Sequence, residues 1–144
     1  MKTIEKISLV KESTEFKRVK IGGSSDASEY IRQFYDSDIE IYESCFILLL
    51  NRQNQTIGYS KISQGGIVGT VVDVKLILKY VVESLATGVI LAHNHPSGNL
   101  QPSRDDELIT EKIKKALALV DSSLFDHVIL TRDGYTSMAD EGLI

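Results

Sequence analysis

Residues that could bind a metal ion are concentrated between positions 92 and 106 of the chain. His93 and His95 follow an apolar run, and because alternate side chains of a strand share a face, their imidazoles project to the same side. Asp106 supplies a third ligand if the intervening loop folds back over the strand end. Three protein ligands with one open position are typical of a catalytic zinc, whereas structural zinc is usually closed by four cysteine-rich ligands. The single cysteine of the chain excludes the structural type.

The loop between these ligands has a composition that restricts its conformation. Pro96 and Pro102 fix their own φ angles and bias the preceding residues away from helix, while Gly98 permits a turn that other residues resist. Ser103, followed by acidic residues, also has the pattern of a helix N-cap. The two interpretations are compatible, because Ser103 can cap a helix while presenting its hydroxyl to a metal site.

Metal-dependent hydrolysis also needs a general base and a hydrogen-bond donor to the oxyanion. Two glutamates are candidates for the base: Glu43, at the head of an apolar strand, and Glu83, in the helix before the histidine strand. The position of Glu43 at the lip of a buried strand favours it, since Glu83 can simply face solvent. Ser103 is the favoured hydroxyl donor, and Ser97 is interpreted as a turn residue.

Composition limits the class of protein. The 144 residues fit one domain, and 42% hydrophobic with 25% charged residues is typical of a soluble globular protein. No apolar run approaches the length of a membrane span, and the first residues lack the apolar core of a signal peptide, so we expect a cytoplasmic protein with no membrane partner. A net charge of -4 disfavours nucleic acid as a partner.

Hydrophobic periodicity predicts strands alternating with helices, and therefore a mixed sheet flanked by helices. Strands are predicted over residues 43–50, 56–62, 89–93, 125–131 and 135–138, with one or two edge strands within 3–20. Helices are predicted over 27–35, from 73 to about 85, and from 103 to about 120. Gly88 is predicted to end the second helix, and Leu108 and Val120 to belong to the buried stripe of the third.

The chain resembles a known family at the residues that carry this chemistry. His93-x-His95, seven residues, Ser103, two residues and Asp106 are similar to the JAMM signature of MPN-type metalloproteases, in the form of the bacterial RadC-like branch. The resemblance extends over roughly residues 40 to 144, including Glu43 with the apolar strand after it, Gly69–Thr70, the helix from Asp73 and the strand beginning Asp126-His127.

The resemblance implies an α/β fold of the JAMM/MPN type, related in architecture to cytidine deaminases. It implies one zinc ion per chain on His93, His95 and Asp106, with Glu43 as catalytic glutamate and Ser103 as catalytic serine. Residues 41–144 would form the metallohydrolase domain, and residues 1–40 an N-terminal extension packed on it, without the helix-hairpin-helix region of longer RadC proteins.

The expected activity is zinc-dependent peptidase or isopeptidase chemistry on a protein or peptide substrate, using metal-activated water. The alternative is a non-catalytic or DNA-repair-associated accessory module of the RadC type. Deamination is disfavoured, because zinc deaminases use a cysteine pair that one cysteine cannot supply. Association into a homo-oligomer is left open by the sequence.

Overall fold

A mixed sheet with helices on both faces organises the part of the chain that the structure describes, residues 1–8, 10–65 and 71–144. In this computed structural model the strands are β1 (Ser44–Leu50), β2 (Thr56–Gln64), β3 (Gly88–Asn94), β4 (Ser123–Leu130) and β5 (Tyr135–Ser137). The helices are α1 (Ser24–Arg32), α2 (Val74–Ser84) and α3 (Arg104–Ala118), with a short 3₁₀ helix at Ser37–Glu40. The predicted α/β class, a mixed sheet flanked by helices, is confirmed.

The strand order across the sheet is β2-β1-β3-β4-β5. β3 and β4 are parallel and α3 connects them, as a parallel pair requires a crossover, whereas the other neighbours are antiparallel. In the antiparallel pair of β1 and β3, Cys45 lies opposite His93. The start of β1 therefore meets the end of β3 at one edge of the sheet.

Two hydrophobic clusters, one on each face of the sheet, form the core. The first joins odd-numbered residues of the central strands to α2 and α3: Cys45, Ile47, Leu49, Val89 and Leu91 with Ile77, Val81, Ile113 and Leu117. The second joins even-numbered residues to α1: Leu48, Leu50, Ile90 and Ala92 with Ala27 and Ile31. Because His93 and His95 continue the odd-numbered series of β3, their side chains lie on the face that carries α3.

The helices differ from the prediction in detail. α3 starts directly after Ser103, as predicted, but Leu108 and Val120 are 47% and 37% exposed and lie outside its buried stripe. α2 ends before Gly88, with Leu85 in the left-handed conformation at a φ of 56°. Gly88 instead begins β3, where a Cβ would collide with the ring of Phe125. The glycine is thus required by packing rather than by helix termination.

The edge strands predicted within residues 3–20 are wrong. Among the described residues of this segment, pairing with the sheet is limited to a bridge between Lys20 and Gln55. Ile4, Ile7 and Val10 are at least 80% exposed, whereas Phe16 packs against the rings of Phe34 and Tyr59 without forming a strand. Gly69–Thr70 lies outside the described residues. The helices of the described part of the chain are too short or too polar to cross a membrane.

Candidate metal centre

Three separate segments bring polar side chains together at the carboxyl end of β3. His93 comes from the end of this strand, His95 directly follows it, and Asp106 comes from the first turn of α3. Glu43 immediately precedes β1, whose antiparallel pairing with β3 carries it to the same edge. All four side chains are largely buried, with 5% to 18% of their surface exposed.

The distances between the ligand atoms fit one metal ion. The Nε2 atoms of His93 and His95 are 2.9 Å apart, and Asp106 places Oδ1 3.2 Å from the first and Oδ2 3.3 Å from the second. A tetrahedral zinc with bonds of about 2.0–2.2 Å has ligand atoms about 3.3 Å apart. An ion would therefore bind the two Nε2 atoms and an oxygen of the Asp106 carboxylate with little movement of the side chains.

Glu43 is slightly farther from the histidines. Its Oε1 lies 3.8 Å from Nε2 of His93 and 4.0 Å from Nε2 of His95. These three residues also form a group whose ligand atoms lie within 4.8 Å of one another and could hold a metal ion. Two sets of three ligands are thus geometrically available, sharing both histidines and differing in the carboxylate.

The loop after β3 orients His95. The backbone N–H of Gly98 donates to the His95 carbonyl, which closes a tight turn over residues 95–98, and Gly98 has a φ of 86°. The turn returns the backbone carbonyl of Asn99 to within 2.7 Å of Nδ1 of His95. A carbonyl can only accept, so Nδ1 carries the proton and the lone pair of Nε2 faces the cluster.

A capping box at the start of α3 holds Asp106. The backbone N–H of Asp106 donates to Oγ of Ser103 at 3.0 Å, and the backbone N–H of Ser103 donates to Oδ2 of Asp106 at 2.8 Å. The predicted N-cap is confirmed, and its second half fixes the carboxylate that faces the histidines. Ser103 thereby lies beside the cluster.

Asn94, between the two histidines, ties Glu43 to β3. Its Oδ1 accepts from the backbone N–H of Ser44 at 2.7 Å, and its Nδ2 donates to the carbonyls of Ile39 and Tyr42, each at 2.7 Å. The side chain is fully buried. It therefore fixes the backbone on both sides of Glu43 relative to the histidine strand.

Comparison with known families identifies the fold. The family model of the RadC-like JAB domain matches residues 21–143. The chain belongs to this family.

Relatives of this RadC-like JAB domain are longer. A UPF0758 protein of Flavobacterium johnsoniae is 48% identical over 102 residues, which cover 71% of this chain and 44% of that protein. A UPF0758 protein of Coprothermobacter proteolyticus is 42% identical over 127 residues, covering 87% of this chain and 54% of that protein. One from Porphyromonas gingivalis is 45% identical over 103 residues, covering 71% and 45%. The chain spans about half the length of these relatives.

The cluster of this JAB domain attracts positive charge. Burial disfavours ionisation of Asp106, but its contacts with the His93 and His95 imidazoles outweigh it and hold the pKa of the carboxyl well below its usual range. The hydrogen bond to Asp106 raises the pKa of His95, against the opposing effect of burial. Burial lowers the pKa of His127, which is therefore neutral. The group most readily added to the cluster is a cation, either a proton on His95 or a metal ion.

An open cleft of about 630 Å³ gives access to the cluster. Its described lining contains no lysine or arginine, and apolar side chains form part of its wall: Val71, Val72 and Ile109. Glu43, His93, His95, Ser103 and Asp106 all line it, so the residues singled out from the sequence lie together at one site. Glu83 lies on α2, outside the described lining of the cleft.

Further residues at the site were only partly foreseen. His127, from the strand that the resemblance includes, contacts His93, with 2.7 Å between its Nε2 and Nδ1 of His93. Thr110, which contacts His127, was missed. Its one signal in the sequence is its place one helical turn after Asp106, on the same face of α3.

Proposed function

We propose that this chain is a zinc-dependent hydrolase that cleaves a peptide or isopeptide bond. The observation that carries the proposal is the convergence of two imidazole nitrogens and the Asp106 carboxylate, at contact distances of 2.9–3.3 Å, beside a separate carboxylate and a serine hydroxyl. The three ligands are the minimum for a catalytic site with an open position, and the other two groups match the remaining needs of amide hydrolysis.

His93, His95 and Asp106 are the proposed ligands. The spacing of Asp106 from both histidines is close to the edge of a zinc tetrahedron, whereas Glu43 is more than half an ångström farther away. Mixed imidazole and carboxylate ligands suit zinc better than magnesium or calcium, which prefer oxygen. When bound, zinc lowers the pKa of a water molecule and polarises a carbonyl.

Glu43 is the proposed general base. Its Oε1 lies 3.8 Å and 4.0 Å from the histidine Nε2 atoms, farther than Asp106. From there it can take a proton from the attacking water and pass it to the leaving amine. Ser103 is the proposed oxyanion donor. Its oxygen accepts from the N–H of Asp106, so its own proton is directed elsewhere and can be donated into the cleft.

A protein or peptide is the substrate class that fits best. The cleft is open, lined partly by Val71, Val72 and Ile109, and free of lysine and arginine along its described lining. Such a wall suits an uncharged backbone with an apolar side chain, whereas a nucleic acid would require cations against its phosphates. The net charge of -4 points in the same direction.

The experiment compares four zinc-loaded proteins: wild type, Glu43→Gln, Asp106→Asn and the control Glu83→Gln. Each is dialysed, its zinc content is measured, and it is then incubated with a proteome-derived peptide library in which new N-termini are detected by mass spectrometry. We expect about one zinc per chain in all but Asp106→Asn. We expect new N-termini from wild type and Glu83→Gln, and a loss of at least about 100-fold from Glu43→Gln, because it removes the general base.

Other outcomes overturn specific parts of the proposal. Loss of zinc from Glu43→Gln with retention by Asp106→Asn would exchange the roles of the two carboxylates. Full turnover by Glu43→Gln would show that Glu43 is not the general base. A wild-type protein that holds zinc, cleaves no peptide or isopeptide bond and binds duplex DNA in a salt-dependent manner would support the accessory module instead.

A further inference from the structure

Behind the candidate ligands lies a short chain of buried hydrogen bonds. His127 on β4 and Thr110 on α3 are 1% and 2% exposed. Nε2 of His127 is 2.7 Å from Nδ1 of His93, and Nδ1 of His127 is 2.5 Å from Oγ1 of Thr110. The same hydroxyl donates to the backbone carbonyl of Asp106 at 2.6 Å. The chain therefore starts at one candidate ligand, Asp106, and ends at another, His93.

The position of every proton in this chain follows from its first member. The Asp106 carbonyl can only accept, so the single hydroxyl proton of Thr110 is donated to it. His127 must then donate from Nδ1 to the Thr110 oxygen, and because it is buried and neutral, its Nε2 carries no proton. Nε2 of His127 accepts from Nδ1 of His93. The remaining nitrogen of His93, Nε2, is left with a lone pair that faces His95 and Asp106.

We propose that Thr110 and His127 are positioning residues that fix His93 as its Nδ1–H tautomer, so that its Nε2 is ready to bind the metal. The proposal rests on the metal site proposed above. The tautomer of His95 is fixed directly, because its Nδ1 donates to the backbone carbonyl of Asn99 in the exposed loop. His93 is buried in the sheet, and its tautomer is fixed through the side chains of His127 and Thr110. Partners that set the tautomer of a ligand histidine typically change metal affinity by about 10- to 100-fold when removed.

This chain of hydrogen bonds from Asp106 through Thr110 and His127 to His93, called the relay below, also connects two elements. Thr110 contacts Asp106 within α3 and His127 across to β4, so a single hydroxyl sets the position of one proposed ligand and the tautomer of another. A chain that only stabilised the core would have the same proton order but would not affect zinc binding. The tautomers therefore test whether the chain exists, and the zinc affinity of the folded variants separates the two roles.

The first test is nitrogen-15 NMR of the histidine rings in metal-free and zinc-loaded wild-type protein. The chain contains three histidines, all at this site, so their ring signals can be assigned completely. We expect Nδ1–H tautomers for both His93 and His127 in the two states. A His127 with its proton on Nε2 would overturn the relay, and this result can be read without any bound metal.

The second test compares the zinc affinity of wild type, Thr110→Val and Thr110→Ser by competition with a chromophoric chelator. Valine is close to threonine in shape and lacks the hydroxyl, so we expect about 10- to 100-fold weaker zinc binding and a shift of His127 toward the Nε2–H tautomer. Serine keeps the hydroxyl, and we expect an affinity within about threefold of wild type, since the relay is intact.

Unfolding of the metal-free variants by denaturant controls for a structural effect. If Thr110→Val lowers stability but leaves the zinc affinity of the folded protein and the tautomer of His93 unchanged, the positioning role is wrong. If wild type binds no zinc, the proposed function fails, while the NMR result still decides the proton order.

Discussion

Asn94 stands between the two candidate histidine ligands and points to the opposite face of the sheet. Its three hydrogen bonds reach the backbone of the segment that carries Glu43, so the tripeptide His93-Asn94-His95 specifies both the ligands and the distance to the proposed base. The two carbonyl partners require an amide donor, and the N–H of Ser44 requires an acceptor. Asparagine meets both demands with one side chain.

Asn94→Asp should therefore destabilise the fold. The carboxylate would still accept from Ser44, but it would face the carbonyls of Ile39 and Tyr42 with no donor, at a buried position. We expect a loss of about 3 kcal/mol in the free energy of unfolding of the metal-free protein. Urea denaturation measures it, with Asn99→Asp as control, because Asn99 is exposed and its side-chain oxygen accepts from the backbone N–H of Gln101, which an aspartate would also do. Equal stability of the two variants would contradict a stabilising role for the hydrogen bonds of Asn94.

Individual site residues differ in how far the sequence specifies them. The candidate ligands could be predicted because strand periodicity places His93 and His95 on one face, and Ser103 marks the start of the helix that carries Asp106. Glu43 depended on a family resemblance, because its approach to the site requires knowing that β1 pairs with β3 in antiparallel register. Thr110 has only the weak signal of lying one helical turn after Asp106, since its contact with His127 comes from β4, a separate strand.

Among the elements, those with two independent signals in the sequence were predicted best. β1 and β3 are apolar on both faces because helices cover both sides of the sheet, and α3 has both a cap and a buried stripe. The N-terminal alternation misled the prediction because a strand also needs a partner edge. Apart from the bridge that Lys20 forms, the described residues of that segment do not pair along β2. Pattern alone cannot reveal which edges are available.

Ser103 has a structural and a proposed chemical role in one element, and two substitutions separate them. Ser103→Ala removes the N-cap of α3 and should lower the free energy of unfolding by about 1 kcal/mol, whereas glycine at an N-cap costs only about a few tenths. Both variants lack the hydroxyl, so both should reduce peptide hydrolysis by about 100- to 1,000-fold. Denaturation of the metal-free proteins and the peptide-library assay measure the two effects. Loss of activity in proportion to lost stability would argue against oxyanion donation.

At the scale of the whole molecule, the site joins parts of the chain that are distant in sequence. Glu43 precedes β1, the histidines end β3, Asp106 begins α3 and His127 lies on β4, so the polar cluster spans the centre of the sheet and one covering helix. A metal ion bound there would cross-link these elements. Because the unfolded chain offers no such arrangement, metal binding must stabilise the folded state.

Zinc should therefore raise the melting temperature, and the increase should grow with pH. At free zinc 100-fold above the dissociation constant, linkage gives about 2.7 kcal/mol of added stability, or about 5 to 10 °C for a chain of this size. Zinc requires a neutral imidazole, while the hydrogen bond to Asp106 raises the pKa of His95 above its ordinary 6.5 in the metal-free protein. Below that raised pKa zinc must displace a proton, so its affinity falls about tenfold per pH unit.

The stability of the metal-free protein depends on the same proton, with the opposite sign. Its folded state holds the His95 proton more tightly than the unfolded chain, so this contribution to stability is complete below pH 6.5 and is lost as pH rises through the folded-state pKa. The zinc-induced increase is the difference between the zinc-bound and the metal-free protein, so release of this one proton, already expressed in the zinc affinity, is what makes it larger at high pH. Calorimetric scans with and without zinc between about pH 5 and 8 measure it, with magnesium as a control that should give no comparable shift, because it prefers oxygen ligands. A zinc-induced increase that is constant with pH would mean that no proton leaves His95, and hence that this histidine is not a ligand.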